Sequence, residues 1–121
     1  IGISDSVETM IFDEIDTGVS GRVSQRMAEK MYQLGVGSQV LCISHLPQTT
    51  ALADTNLLIS KEIIDKRTLT VIRELTEEEK IAEVARMVSG DTMTKLSEEH
   101  SIEMLRLAEK TKADIKEKLN K

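Results

Sequence analysis

Aromatic residues are almost absent from this chain: its 121 residues include one Tyr, one Phe and no Trp. Any core must therefore be built from aliphatic side chains and the six Met, and a chain of this length buries only a modest core. A single Cys excludes an internal disulfide and fits a reducing compartment. No segment approaches the roughly 20 apolar residues of a membrane helix, and no signal peptide opens the sequence. We expect one domain or part-domain over residues 1–121, with no membrane partner.

Two further absences concern phosphates. No G-x-x-x-x-G-K-[ST] motif occurs and no Gly is followed by Lys, so a phosphate-cradling loop is missing. The net charge is −5 and the pI is near 5.1. That balance argues against a main DNA-contacting surface, because phosphate neutralisation needs clustered Lys and Arg.

An acidic pair directly after a short apolar run is the most informative feature present. Residues 7–12 (VETMIF) predict a strand buried on both faces. Asp13 and Glu14 end that strand, and Asp16 follows before a Gly/Ser-rich turn. The carboxyl ends of strands in open α/β sheets are where ligands bind. We therefore expect a site at this edge.

The next segment predicts a helix and a second strand. Ser20 is a plausible N-cap for a helix to about Leu34, and residues 35–37 (GVG) end it. Its predicted core face comprises Val23, Met27, Met31 and Leu34. Residues 39–44 predict the second buried strand. A strand–helix–strand unit of this length implies a parallel pair with a right-handed crossover. Both strands then end at one edge, which brings His45 near the acidic pair.

The remaining chain predicts a hairpin and two helices. Pro47 begins a short helix that ends near Ala53, and residues 55–64 and 67–75 form a hairpin around the turn Asp65-Lys66. Thr76 opens a helix through a capping box, and Gly90 ends it. A final helix spans residues 94–120, and residues 110–121 form a charged helical tail that is solvated, frayed or used as a connection. The predicted apolar contacts of these two helices are Ile81, Val84, Ala85 and Val88, then Leu96, Ile102, Leu105 and Ala108.

Two motifs in order resemble a known family. Residues 11–21 (IFDEIDTGVSG) resemble the Walker B strand and D-loop of the RecN family of bacterial DNA repair proteins, in the SMC-like branch of ABC-type ATPases. Residues 42–48 (CISHLPQ) resemble that family's switch-histidine segment. Residues 53–61 and 85–90 also resemble its carboxyl-terminal region, and the similarity runs from about Met10 to about Ala108. The resemblance implies an α/β fold: a partial P-loop NTPase head of ABC/SMC type with parallel strands, a β-hairpin and carboxyl-terminal helices.

The resemblance also implies cofactors and roles. With ATP and Mg²⁺ as cofactors, Asp13 would hold the metal through water, Glu14 would act as general base on the lytic water, and His45 would sense the γ-phosphate. The simpler alternatives are a turn cap for Asp13, a surface carboxylate for Glu14 and a local hydrogen bond for His45.

Three more residues join the predicted cofactor-binding set. Asp16 resembles the D-loop aspartate, which reaches across a head–head dimer, although an Asx-type turn has the same sequence. Ser20 lies in the same loop and is mainly a turn and cap residue. Gln48 is either a family-specific contact or a polar group on a helix surface.

The chain lacks both a phosphate loop and an LSGG-type signature, and three functions are candidates for it. The first is the carboxyl-terminal part of a RecN-like ATPase head in the bacterial cytoplasm. Its partners are the amino-terminal part of the same head, a second head in a homodimer, and DNA through the full-length protein; the 121 residues alone are predicted to be inactive. The second is a metal-dependent phosphoesterase using Asp13, Glu14, Asp16 and His45. The third is a non-catalytic interaction module whose carboxylates only cap turns.

Overall fold

A computed structural model describes residues 9–14, 18–90 and 93–120. Its elements in chain order are β1 (Thr9–Asp13), α1 (Gly21–Gly37), β2 (Gln39–Ile43), α2 (Pro47–Leu52), β3 (Leu57–Ile64), β4 (Arg67–Glu74), α3 (Glu77–Ser89) and α4 (Lys95–Leu119). The α/β class, with a parallel pair, an antiparallel hairpin and two carboxyl-terminal helices, is confirmed. The predicted start of the first strand at Val7 and the residue Asp16 lie outside the described residues.

Strands β1 and β2 form a parallel pair in simple register, from Thr9 opposite Gln39 to Asp13 opposite Ile43. The predicted pairing is therefore confirmed, and both strands end at the same edge. Burial on both faces was wrong for the described residues, because the pattern alternates along each strand. Ile11, Leu41 and Ile43 are 69%, 44% and 47% exposed. Only the opposite face is covered, where α1 lies against Val40 of β2.

The start of α1 is confirmed, its end lies beyond the predicted Leu34, and of its predicted core face only Met31 is fully buried. Ser20 is the N-cap, and its hydroxyl oxygen accepts a hydrogen bond from the Val23 N–H at 3.3 Å. The helix continues through Gly35 to Gly37, and Gly35 lies beside Val40 of β2, where an added Cβ would make an ordinary van der Waals contact. The buried residues are Ser24, Ala28, Met31 and Tyr32, whereas the predicted contacts Val23 and Leu34 are exposed.

Small side chains explain the change of face. Ala28 of α1, Ala51 and Leu52 of α2 and Ala108 of α4 form the core cluster, with Leu105 packed against it. Small residues let helix backbones come close together, so the helices meet along the Ala positions rather than along the larger Val and Leu positions. This cluster is aliphatic, as predicted from the scarcity of aromatic residues, but the one Tyr of the chain, Tyr32, is buried as well.

Short elements α2, β3 and β4 match their predictions. Pro47 lies in the first turn of α2, where its missing N–H costs no hydrogen bond. Strands β3 and β4 pair antiparallel, with Ile64 opposite Arg67 across the predicted turn. Both turn residues have positive φ, 49° at Asp65 and 64° at Lys66. Two consecutive positive φ values match the twist of a two-residue hairpin loop.

The capping box of α3 is confirmed. The Thr76 hydroxyl accepts from the Glu79 N–H at 3.2 Å, and the Glu79 carboxylate accepts from the Thr76 N–H at 3.0 Å. Gly90 ends the helix with a φ of 92°. Hydrogen bonds from the Thr76 backbone and from Arg73 lower the pKa of Glu79 below its ordinary value of 4.5. The stabilisation from this carboxylate is therefore complete above that value and is lost as the pH falls through the lowered pKa.

Helix α4 begins as predicted after Thr94 and ends before Asn120. Its buried face was predicted only in part: Ala108 is buried and Leu105 packs against the core, whereas Leu96 is 76% exposed and Ile102 is also exposed. The buried residues are Ser97, Ser101, Ala108 and Lys112. The Ser101 hydroxyl donates to the Ile81 carbonyl of α3 at 2.7 Å, so the helices meet through small polar groups. Lys112 is buried, although residues 110–121 were predicted to form a charged tail that is solvated, frayed or used as a connection.

None of the four helices that the structure describes combines the length and the apolar character required to cross a bilayer.

Replacing Thr76 with Ala is expected to destabilise α3 by about 0.5–2 kcal/mol, because the first-turn amides lose their side-chain acceptor. Hydrogen exchange of the α3 amides measures this loss. Thr55→Ala is the control, since Thr55 is exposed in the segment between α2 and β3. Equal exchange rates in both variants would contradict a stabilising role for the capping box.

Candidate active site at the edge of the parallel pair

The backbone turns sharply where β1 ends. Glu14 has a φ of 50°, in the left-handed region that non-glycine residues adopt at a cost of about 1–2 kcal/mol. Its N–H donates to the Ile43 carbonyl of β2 at 2.8 Å, which ties this residue to the neighbouring strand. Strained backbone of this kind is frequent at functional sites, where the surrounding structure holds it in place.

The structure brings Glu14 and His45 together. His45 Nδ1 lies 3.5 Å from Glu14 Oε1, within ion-pair distance when the imidazole is protonated. Both side chains are open to solvent, with 54% of Glu14 and 63% of His45 exposed. The pair therefore occupies the same rim, as the parallel topology predicted, but nothing in the described residues encloses it. General-base chemistry on this carboxylate requires a further surface that excludes bulk water.

The other predicted site residues have distinct positions. Asp13 is exposed as the last residue of β1, beside Glu14. Ser20 is occupied as the N-cap of α1. Gln48 is half-buried in the first turn of α2, and its Nε2 lies against Gly21, at 3.7 Å from the point where a Cβ would stand. The start of α1 and the start of α2 are thus neighbours, while Asp16 is outside the described residues.

The donor set at the rim fits a magnesium ion bound largely through water. Among residues 9–14, 18–90 and 93–120, no group of three or more His, Cys, Asp or Glu side chains could hold a metal by itself. Mg²⁺ usually keeps several of its waters and takes one or two carboxylates together with phosphate oxygens. An exposed Asp13 carboxylate at a strand end is the kind of group that could make such a single contact.

A groove with a volume of about 420 Å³ lies elsewhere, between α1, α2 and α4. Its lining includes Gln25, Gln48, Leu52 and Leu107. Asp13, Glu14 and His45 do not line it, so the groove and the rim are separate features.

Sequence reasoning missed two buried lysines behind α2. Lys80 and Lys112 are 7% and 5% exposed as whole residues, and both ammonium groups point to the Ala53 carbonyl. Burial lowers the pKa of Lys80, and the neighbouring positive charge of Lys112 lowers it further. One signal was present in the sequence, because Lys112 follows Ser101, Leu105 and Ala108 at helical spacing along the packed face of α4.

The fold and the rim define a class: an α/β unit in which two parallel strands present an acidic pair and an imidazole at one edge. Comparison of the sequence with known proteins then identifies the family. The chain is 56% identical over 108 residues to the DNA repair protein RecN of Halalkalibacterium halodurans. The matched stretch covers 89% of this chain and 19% of that protein. It is 52% identical over 106 residues to RecN of Bacillus subtilis, covering 88% and 18% respectively. With RecN of Treponema pallidum the identity is 40% over 102 residues, covering 84% and 18%.

This chain therefore belongs to the RecN family of DNA repair proteins, and it spans about a fifth of the length of the curated relatives it matches. No protein-family model matches the chain.

Proposed function

We propose that the chain is the carboxyl-terminal part of a RecN-like ATPase head with the P-loop NTPase fold of the ABC/SMC type. In this proposal it contributes to ATP hydrolysis that drives the repair and recombination of DNA double-strand breaks. The whole protein would supply the phosphate-binding loop from the amino-terminal part of the same head, and a second head would supply the signature motif. The full-length protein would make the contact with DNA. That the relatives are DNA repair proteins supports the role in DNA repair.

One observation carries the proposal. The register of β1 and β2 places the end of each strand at the same rim, and Glu14 meets His45 there at 3.5 Å. When bound, ATP and Mg²⁺ supply the reactive phosphoryl group and the positive charge that balances its oxygens. Asp13 would bind the metal through water. Glu14 would accept a proton from the attacking water, and His45 would donate a hydrogen bond to the γ-phosphate.

The openness of the rim supports a requirement for a second head. Both Glu14 and His45 are more than half exposed, and an exposed carboxylate shares its water with bulk solvent. Once a second head covers the rim, the nucleotide-binding surface would also include Asp16, Ser20 and Gln48. Asp16 would reach the partner head. A chain of residues 1–121 alone is expected to hydrolyse no ATP.

The two alternatives gain no support from the described residues. A phosphoesterase needs several metal ligands in one cluster; the part of the chain that the structure describes holds no such cluster, and Asp16, one of the four residues of that alternative, lies outside it. A non-catalytic module predicts that the rim carboxylates are dispensable, which mutation tests directly.

Asp13→Asn in the full-length protein is expected to weaken Mg²⁺-dependent ATP binding about 10- to 100-fold. The expectation corresponds to the loss of one charge-assisted contact, about 1.5–3 kcal/mol. Nucleotide titration with Mg²⁺, compared with titration in excess EDTA, measures the effect.

Asp65→Asn is the matched control, because Asp65 is an exposed turn residue with a positive φ that Asn also tolerates. If Asp13→Asn bound ATP with unchanged dependence on Mg²⁺, Asp13 would have no role as a metal ligand and the interaction module would be favoured.

A further inference from the structure

We propose that Lys80 and Lys112 are positioning residues that hold the carboxyl end of α2 and so fix His45 opposite Glu14. This inference rests on the proposed function for its catalytic consequence, but the positional claim can be tested without ATP.

Helix α2 has little stability of its own. It has six residues and no side-chain hydrogen bond at its N-cap, Leu46. Isolated helices shorter than about 12 residues are marginal in water. Two of its six residues are Thr, whose branched side chain is unfavourable in helices. The position of α2 must therefore be set by tertiary contacts, among them the burial of Ala51 and Leu52.

Side chains from outside α2 satisfy the carbonyls at its carboxyl end. The Asn56 amide donates to the Thr50 carbonyl at 3.1 Å. Lys80 Nζ of α3 donates to the Ala53 carbonyl at 2.8 Å, and Lys112 Nζ of α4 reaches the same oxygen at 3.4 Å. Carbonyls at a helix end have no partners within the helix, and positive charge there is favourable.

Lys112 is fully engaged at this position. Besides the Ala53 carbonyl, its ammonium group contacts Asp54 Oδ1 at 3.2 Å and Glu109 Oε1 at 3.1 Å. Three acceptors match the three N–H donors of an ammonium group, so no donor remains for a ligand. A buried cation is costly unless it is paired. The arrangement is therefore a structural junction that links α2 to α4, with Lys80 adding the link to α3.

The other end of α2 leads directly to the rim. One residue, Leu46, separates His45 from Pro47. The Leu46 carbonyl accepts from the Thr50 N–H at 3.1 Å and from the Thr50 hydroxyl at 3.0 Å, and its N–H donates to Ser44 Oγ at 3.1 Å. His45 is thus bracketed by hydrogen-bonded neighbours. Helix α2 is only about 9 Å long. A shift at its carboxyl end, where Lys80 and Lys112 bind, therefore also moves its amino-terminal end, which begins two residues after His45.

The test is the NMR signal of the His45 imidazole in the full-length protein without nucleotide, assigned by its loss in His45→Gln. Lys112→Met keeps the aliphatic stem and removes the charge, and its two carboxylate partners are largely exposed, so they tolerate the loss. We expect a shifted or broadened His45 signal. For turnover we expect kcat to fall about 10- to 100-fold with a nearly unchanged KM for ATP, because a displacement of about 1 Å at a reacting group costs this much.

Two controls separate positioning from general destabilisation. Lys118→Met removes an exposed charge from the end of the same helix, and Thr94→Ala removes the N-cap of α4, far from α2. Both are expected to leave the His45 signal unchanged. Asp54→Asn, which weakens the same junction, is expected to shift the signal in the same direction as Lys112→Met and serves if that variant fails to fold.

An unchanged His45 signal in Lys112→Met, or in Asp54→Asn where Lys112→Met does not fold, would overturn the inference. A moved signal together with unchanged kcat would support the positioning of His45 and count against its proposed role in ATP hydrolysis. The two claims therefore fail separately.

Discussion

Glu14→Gln in the full-length protein is expected to retain ATP binding and to lose turnover, with kcat lower by about 10²- to 10⁴-fold. The amide has nearly the same size and can occupy the same position beside the His45 imidazole, but it cannot take a proton from water. Because the main change is the loss of a base, the KM for ATP should change far less than kcat. Steady-state turnover and nucleotide titration on the same preparation measure the two effects.

Glu99→Gln is the matched control for this experiment, since Glu99 is an exposed carboxylate on α4. It is expected to leave both parameters unchanged. Retained turnover in Glu14→Gln would remove Glu14 from the role of general base. The 3.5 Å approach of His45 would then be a surface ion pair with little energetic weight.

Leu52→Ala is expected to destabilise the helical core by about 2–5 kcal/mol. Leu52 is 3% exposed and belongs to the cluster in which α1, α2 and α4 meet, so its loss removes buried methyl groups and leaves a cavity. Domains are stable by only about 5–15 kcal/mol, so this single change is large. Hydrogen exchange of the amides in α1, α2 and α4 of the full-length protein measures the lowered free energy of local opening.

Leu96→Ala is the control for this substitution. Leu96 is 76% exposed in the first turn of α4, and Ala is at least as favourable as Leu within a helix. An effect within about 0.5 kcal/mol is expected there. If Leu52→Ala were equally mild, the packing of α2 against its neighbours would contribute little to the core.

The sequence predicted the connectivity of the rim well. Alternation of a short apolar run, an amphipathic segment and a second apolar run defined a parallel pair, and that topology alone placed His45 near Glu14. The turn at Asp65-Lys66 and the capping box at Thr76 were also readable, because each depends on residues that are neighbours in the chain. Local signals and strand order were therefore sufficient for these features.

Helix faces were harder to predict because they depend on which partner a helix meets. Counting large apolar residues favoured Val23 and Leu34 in α1, yet α1 is buried along Ser24 and Ala28. In α4 the buried face includes Ser101 and Lys112, since a hydrogen bond to α3 and the junction at Ala53 compensate their polarity. Spacing within α4 can indicate that Lys112 lies on the packed face, but it does not identify the partner that this lysine contacts. The left-handed backbone of Glu14 likewise accompanies a hydrogen bond to β2, which the sequence does not display.

The left-handed backbone of Glu14 limits which substitutions at position 14 are informative. Side chains branched at Cβ clash with a left-handed backbone, so Val, Ile and Thr at this position would fail for reasons unrelated to proton transfer. Asn and Asp tolerate the conformation, and Asp alone of these keeps a carboxylate, one methylene shorter. Asp and Asn have side chains of the same length, so comparing the two variants would test the carboxylate separately from the length of the side chain. A library with all amino acids at position 14 would not separate these two effects from steric clashes with the backbone.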